Sequence, residues 1–205
     1  MAKKSKTSPT LNEMLSQVIS LLDESDRGFA IIIAAWIDDS LAHLIRSAMV
    51  HDLKACDELL QSALRNSSAR INVAYCLGLI DCRIKEDLRK IYAIRNHFAH
   101  SRNMINFDDS GISTCVQELQ LIDIVSISID SADRQVFSNR QVFVRVTSFV
   151  LMYLIERSKH VPKICSDPEK SLDQYVLQRK KKLPQVRLLL DKVSRWQIER
   201  EKATK

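Results

Sequence analysis

Nine consecutive apolar residues, Phe29 to Ile37, lie inside the segment RGFAIIIAAWIDDSLAHLIRSAMV from Arg27, and they leave the chain few ways to fold. A surface helix repeats apolar residues at every third or fourth position, whereas the first half of this segment is apolar all round. A helix of that kind has to be enclosed by other elements. The run is about half the length that a bilayer crossing requires, so the enclosing medium is predicted to be a protein core. The flanking residues agree with a helix. Ser25 stands where an N-cap belongs, and Asp26 falls in the first turn, where the helix dipole favours a carboxylate. Asp38 and Asp39 interrupt the apolar run. Arg27 precedes Asp38 by close to three turns, so the two share a face, with Ala34 between them.

The remaining elements also read as helices. Three glycines and four prolines in 205 residues are too few for the turns of a many-stranded β protein. Leu11, Met14, Leu15, Val18, Ile19 and Leu22 follow a capping Thr10 at helical spacing and predict a first helix ending near Asp23. His51 to Leu64 predicts another, with Leu53, Cys56, Leu60 and Leu64 inward. Asn66-Ser67-Ser68 opens Ala69 to Leu77, and Gly78 closes it as a C′ glycine. Arg70 falls in the first turn of that helix, where a cation is unfavourable unless it has an acidic partner. A helix from about Ile84 follows. Phe107 is the large apolar anchor of the next loop, and Asp108 or Asp109 caps a helix through Ile112, Cys115, Val116 and Leu119. Residues 123–130 read as a connection. Phe137 to Ser158 predicts a strong helix with Phe143, Val146, Val150, Leu151, Leu154 and Ile155 inward. The expected architecture is a single all-α domain over residues 10–159, preceded by a disordered basic leader (1–9) and followed by a basic extension (160–205) that includes an amphipathic helix.

Charge divides along the same lines. Of the net +6, residues 159–205 carry 13 basic and 6 acidic side chains, residues 1–6 carry three lysines, and residues 7–158 carry 15 basic against 19 acidic. The domain is therefore mildly acidic. Any electrostatic attraction to DNA is confined to the tails, with Arg179, Lys180, Lys181 and Lys182 as the candidate contacts. Cys56, Cys76, Cys82, Cys115 and Cys165 form no C-x-x-C pair, and no apolar stretch follows the leader to make a secretory signal. Both observations predict reduced thiols in the cytoplasm and no membrane association. Isolated glycines at 28, 78 and 111 supply no phosphate-cradling loop. The His and Cys spacings match no metal-ligand pattern, and no metal or cofactor is expected.

The stretch LRKIYAIRNHFAHS, Leu88 to Ser101, holds the densest candidate chemistry. Leu88, Ile91, Ile94, Phe98 and Ala99 form a core stripe, and Arg95 falls on it. An arginine cannot shed its proton, so one facing a core needs carboxylate partners, for which Asp38 and Asp39 are the candidates. Asn96 and His100, four residues apart, occupy a neighbouring strip. His97 points the opposite way, toward water with Lys90 and Glu86. The expected role is a polar network that binds helices together.

Four stretches resemble the mannitol-operon repressor family: ESDRGFAIIIAAWIDDSLAHLI from Glu24, SSARINVAYCLGLID from Ser67, DLRKIYAIRNHFAHS from Asp87 and FDDSGISTC from Phe107. Together they cover about Glu24 to Leu119, and the basic extension lies outside the pattern. The resemblance implies an all-helical transcriptional regulator of sugar-alcohol uptake genes that works through another regulatory protein, reaching DNA indirectly or through its tail. Self-association into a homo-oligomer stays open. The functional cluster it implies is Arg27, Asp38, Asp39, Arg70, Arg95, Asn96 and His100, with no catalytic residue. Arg95 to His100 also satisfies the R-x4-H pattern of the HEPN superfamily. That looser resemblance implies the alternative of a metal-independent endoribonuclease, in which Arg95 steadies phosphate charge and His100 moves a proton.

Overall fold

The structure is a computed structural model that describes residues 11–49, 52–126 and 137–161. The described elements are helices: α1 (Leu11–Ser20) followed by a 3-10 turn (Leu21–Asp23), α2 (Asp26–Ala48), α3 (Leu53–Gln61), α4 (Ser67–Cys76), α5 (Cys82–His100), α6 (Ser110–Gln117), α7 (Ile122–Ser126) and α8 (Asn139–Lys159).

The apolar run is the middle of α2. Ser25 caps this helix by accepting from Gly28 N at 3.1 Å. Phe29, Ala30, Ile33, Ala34, Ile37, Leu41, Leu44, Ile45 and Ala48 are buried along it. By length and composition alone α2 could pass for a membrane span, but its apolar faces are taken by α8, α5 and α4. Each fully buried Ile, Leu or Phe there contributes about 1.5–3 kcal/mol. The α8 face is the largest. Phe143, Val146, Val150, Leu151, Leu154 and Ile155 point inward from it, as the spacing predicts. Ser138 and Gln141 close the start of α8 with a reciprocal capping box.

A chain of phenyl rings ties the layers together. Phe29 meets Phe143 edge-on at 6.2 Å, Phe143 lies 4.9 Å from Phe107, and Phe107 meets Phe98 edge-on at 5.0 Å. Phe107 is thus the loop anchor read from the sequence, seated between α5 and α8.

The α4–α5 hairpin sets the outline of the candidate site. Asn66 caps α4 by accepting from Ala69 N at 2.7 Å. Gly78, at φ +67°, ends it in a left-handed residue. Leu79 N donates to Ala74 O and Gly78 N to Tyr75 O, both at 2.9 Å, which is the Schellman pair of bonds. Asp81 then caps α5 by accepting from Ile84 N at 2.9 Å. With about 1.5 Å of rise per residue, α4 (10 residues) spans about 15 Å and α5 (19 residues) about 28 Å. The C-terminal part of α5 therefore runs on past the end of α4.

Several local expectations change. Leu53, predicted to face inward, is 68% exposed. Asp52 takes the N-cap by accepting from Ala55 N, so α3 begins only at Leu53 and that side chain hangs at its free end. Asp109 occupies the N-cap position of α6, but its carboxylate accepts from Asn106 N at 2.6 Å instead of from the first helical turn. Residues 123–126 of the expected connection belong to α7. Lys90 does not point to open water: its ammonium donates to the Glu118 carbonyl at the end of α6. The Thr10 cap, the leader, residues 127–130 of the connection, Cys165 and the basic extension from residue 162 on, with Arg179 to Lys182, lie outside the described residues.

Candidate partner-binding surface

Several half-buried polar residues of the body form clusters that join helices. Asp38, on α2, accepts from Ser67 Oγ at 3.0 Å and from the Tyr92 hydroxyl at 3.1 Å, and it forms an ion pair with Arg70. Arg70 Nε also donates to Leu64 O at 2.8 Å. This is the acidic partner that the first-turn position of Arg70 demanded, and the cluster joins α2, α4 and α5. Burial, and after it the Asp38 charge, pushes the Tyr92 phenol far above its ordinary value, so it remains a donor.

A second cluster forms where α2 begins. Arg27 donates to Ser101 O and Asn103 O, each at 2.9 Å, and so holds the chain leaving α5. Asp26 accepts from Phe107 N at 3.1 Å and pairs with Arg140 of α8. Arg140 donates in addition to Leu22 O and Glu24 O, each at 2.8 Å. Neither Arg140 nor Tyr92 stood out in the sequence. Asp87 was also passed over: fully buried on α5, it accepts from Gln120 N at 2.8 Å and Leu121 N at 2.9 Å and so holds the approach to α7. An Asp at the right phase of an apolar stripe was the available signal.

Arg95 corrects the central expectation. It is exposed, it meets neither Asp38 nor Asp39, and it donates to its neighbour Asn96 Oδ1 at 3.0 Å. Its phase on α5 does match the buried stripe. It is uncovered because α4 starts at Ser67, level with Tyr92, and no described helix continues over the next turn of α5. Asp39 is likewise exposed, on another side of α2, in a shallow surface with Arg46 and Asp57. The expected structural network therefore exists, but Arg70 and Tyr92 build it in place of Arg95, Asn96 and His100.

The open end of α5 borders two grooves. One, of about 660 Å³, lies between α2, the start of α4 and α5, and is lined by Asp38, Arg89, Tyr92, Arg95 and Asn96 over Ala34, Ala35 and Ala93. The other, also about 660 Å³, lies between α5 and the start of α6, with Asn96, His97, His100, Ser101 and Ser110 on its walls. His97 is exposed, as expected, and its ring borders Gly111 of α6. Asn96 forms the ridge between the grooves. Five residues apart, Arg95 and His100 point about 140° away from each other around the helix and line different grooves. They do not converge on a single reacting group within this chain.

The described residues form an all-helical domain in which half-buried polar groups hold helices together and an open polar stretch of α5 faces solvent. The chain is a member of the mannitol repressor family, whose model matches residues 13–190. That match extends beyond the four resembling stretches on both sides and takes in most of the basic extension, including Arg179 to Lys182. The fold is similar to that of a solved chain in the X-ray structure of the MtlR-HPr complex from Escherichia coli, with a TM-score of 0.51, 20% identity, and coverage of 72% of this chain and 97% of that one. Among curated proteins, none matches the sequence.

Proposed function

We propose that this chain is a cytoplasmic repressor of sugar-alcohol uptake genes whose activity is set by binding HPr. The observation that carries this reading is the family match over residues 13–190, joined to a fold shared with nearly the whole of a chain solved in complex with HPr. The distribution of polar groups supports it. Arg27, Asp38 and Arg70 are held by carbonyls, hydroxyls and each other, and serve as framework. Arg95, Asn96 and His100 are exposed and available for contact. DNA is reached through that partnership or through the basic residues 179–182, since the domain itself is net acidic.

The test is titration of the full chain with HPr from the same organism by isothermal calorimetry. Saturable 1:1 heat is the expected result, and its absence would overturn the reading. Incubation with RNA is the counter-test. Cleavage that disappears in His100→Ala while the melting temperature stays unchanged would replace the binding module with an enzyme.

A further inference from the structure

The closed end of the α4–α5 hairpin carries two thiols. Cys76 is the last residue of α4 and Cys82 the first of α5, and both are exposed, whereas Cys56 is buried. Contacts across the hairpin fix which strips of the two helices meet. Arg89 of α5 donates to Asn72 Oδ1 of α4 at 3.1 Å. Nearer the turn, the Lys85 ammonium lies over the Tyr75 ring, 4.4 Å from its centroid. Cys76 follows Asn72 by four residues and Cys82 precedes Arg89 by seven, so each thiol continues a strip already in contact. With about 1.5 Å of rise per residue, Cys76 stands about 1.5 Å past Tyr75 and Cys82 about 4.5 Å past Lys85. The offset of about 3 Å falls at two helix ends, where backbone adjusts most readily. Packed helix axes lie about 8–10 Å apart, with Cα atoms about 2.3 Å off each axis. Facing strips with that offset bring Cα atoms into the disulfide range of about 4.4–6.8 Å.

We propose that Cys76 and Cys82 form a modification site, a dithiol that a peroxide closes reversibly to a disulfide. One sulfur attacks the peroxide oxygen: an S–O bond forms, the O–O bond breaks, and the thiol proton leaves in water or, from an organic hydroperoxide, in an alcohol. The second sulfur then attacks the resulting sulfenic acid. An S–S bond forms, the S–O bond breaks, and the second thiol proton leaves in water. The two sulfurs lose two electrons in all, and the peroxide takes them. A metal ion is the rival for a thiol pair. Among the described residues, however, no group of three or more His, Cys, Asp or Glu is placed to hold one. The turn suits closure: Gly78 at φ +67°, with the bonds from Gly78 N and Leu79 N, already reverses the chain between the two thiols. The product is a ring over residues 76–82 that ties the end of α4 to the start of α5. Arg95 and His100 stand at the other end of α5, so the inference is independent of what binds there.

The experiment treats the reduced full-length protein with a modest excess of hydrogen peroxide, blocks the remaining thiols, digests with trypsin and measures the fragment masses. Arg70 and Arg83 bound the tryptic peptide 71–83, which holds both thiols. The bond therefore reads as the loss of two hydrogens and of both blocking groups from that peptide. The peptide is expected to close in the parent and to reopen with dithiothreitol. It should close about tenfold faster in folded than in urea-unfolded protein, since the fold raises the effective concentration of one thiol at the other. In Cys82→Ser, Cys76 has no second sulfur, and dimedone should trap it as the sulfenic acid. Cys76→Ser should leave Cys82 trapped in the same way. Closure that is no faster in the folded chain would overturn the proposal, because sequence proximity alone would then account for it. A parent that accumulates dimedone adducts on either cysteine, or joins one to Cys56, Cys115 or Cys165, would overturn it too. Circular dichroism checks the folding of both serine variants, and the parent's folded-to-unfolded rate ratio decides the matter without them.

Discussion

At the scale of the residue, Asp38 and Arg95 show how differently two charges on apolar stripes are used. The Asp38 side chain is 26% exposed and that of Arg70 14%, so their ion pair is partly desolvated and reinforced by two hydroxyl donors. Removing the carboxylate leaves a half-buried guanidinium and a phenol without their acceptor. Asp38→Ala is therefore expected to cost about 2–4 kcal/mol in urea unfolding, while Arg95→Ala stays within about 0.5 kcal/mol. Equal losses would return Arg95 to the framework. Asp87 predicts a pH dependence. Burial raises its carboxyl above the ordinary 3.8, against the lowering effect of the Gln120 and Leu121 amides and Lys90. A raised native value means that the native state holds the proton more tightly than the unfolded chain. The stability this group contributes is thus complete below the unfolded value and is lost as pH rises through the folded one. Between about pH 3.5 and about pH 7 the parent should lose more stability than Asp87→Asn, which cannot ionise there. Parallel curves from urea melts at the two pH values would exclude this role for Asp87.

At the scale of the element, caps and turns were the most legible features. Ser25, Asn66 and Gly78 all act at the positions their chemistry indicated. Gly78 sits at φ +67° with open space where a Cβ would go. Gly78→Ala is therefore strained by backbone conformation alone, and about 1–2 kcal/mol of stability should be lost in thermal or urea unfolding. An unchanged midpoint would show that the hairpin can end without a left-handed residue. Helix phase was legible too, since the inward residues of α8 and α5 follow their spacing, except Ala99, which the spacing placed on the α5 core stripe and which is exposed past the reach of the neighbouring helices. What phase does not carry is the length of the neighbouring helix. Arg95 has the angle of a core residue and the exposure of a surface one, because α4 stops short of it. Lys90 departs for a related reason, because the end of α6 packs on its side of α5.

At the scale of the whole molecule, an acidic body is joined in sequence to a strongly basic extension. Replacing Arg179, Lys180, Lys181 and Lys182 by Gln is expected to flatten the salt dependence of DNA binding by the full chain, by up to about 0.9 in log–log slope per lost phosphate contact. An unaltered slope in a filter-binding or anisotropy titration would place DNA contact elsewhere. The sequence by itself determined the all-helical class, the buried centre at α2, the caps at Ser25, Asn66 and Gly78, the loop anchor Phe107 and the family, because periodicity, capping chemistry and ordered motifs are local properties. Only the tertiary structure decided which charged groups meet. The Asp38–Arg70–Tyr92 cluster and the Asp26–Arg140 pair join residues 32, 54 and 114 positions apart. It also decided that Arg95 and His100 open onto separate grooves. Exposure depends on where neighbouring helices begin and end, and that is a property of packing that no single helix encodes.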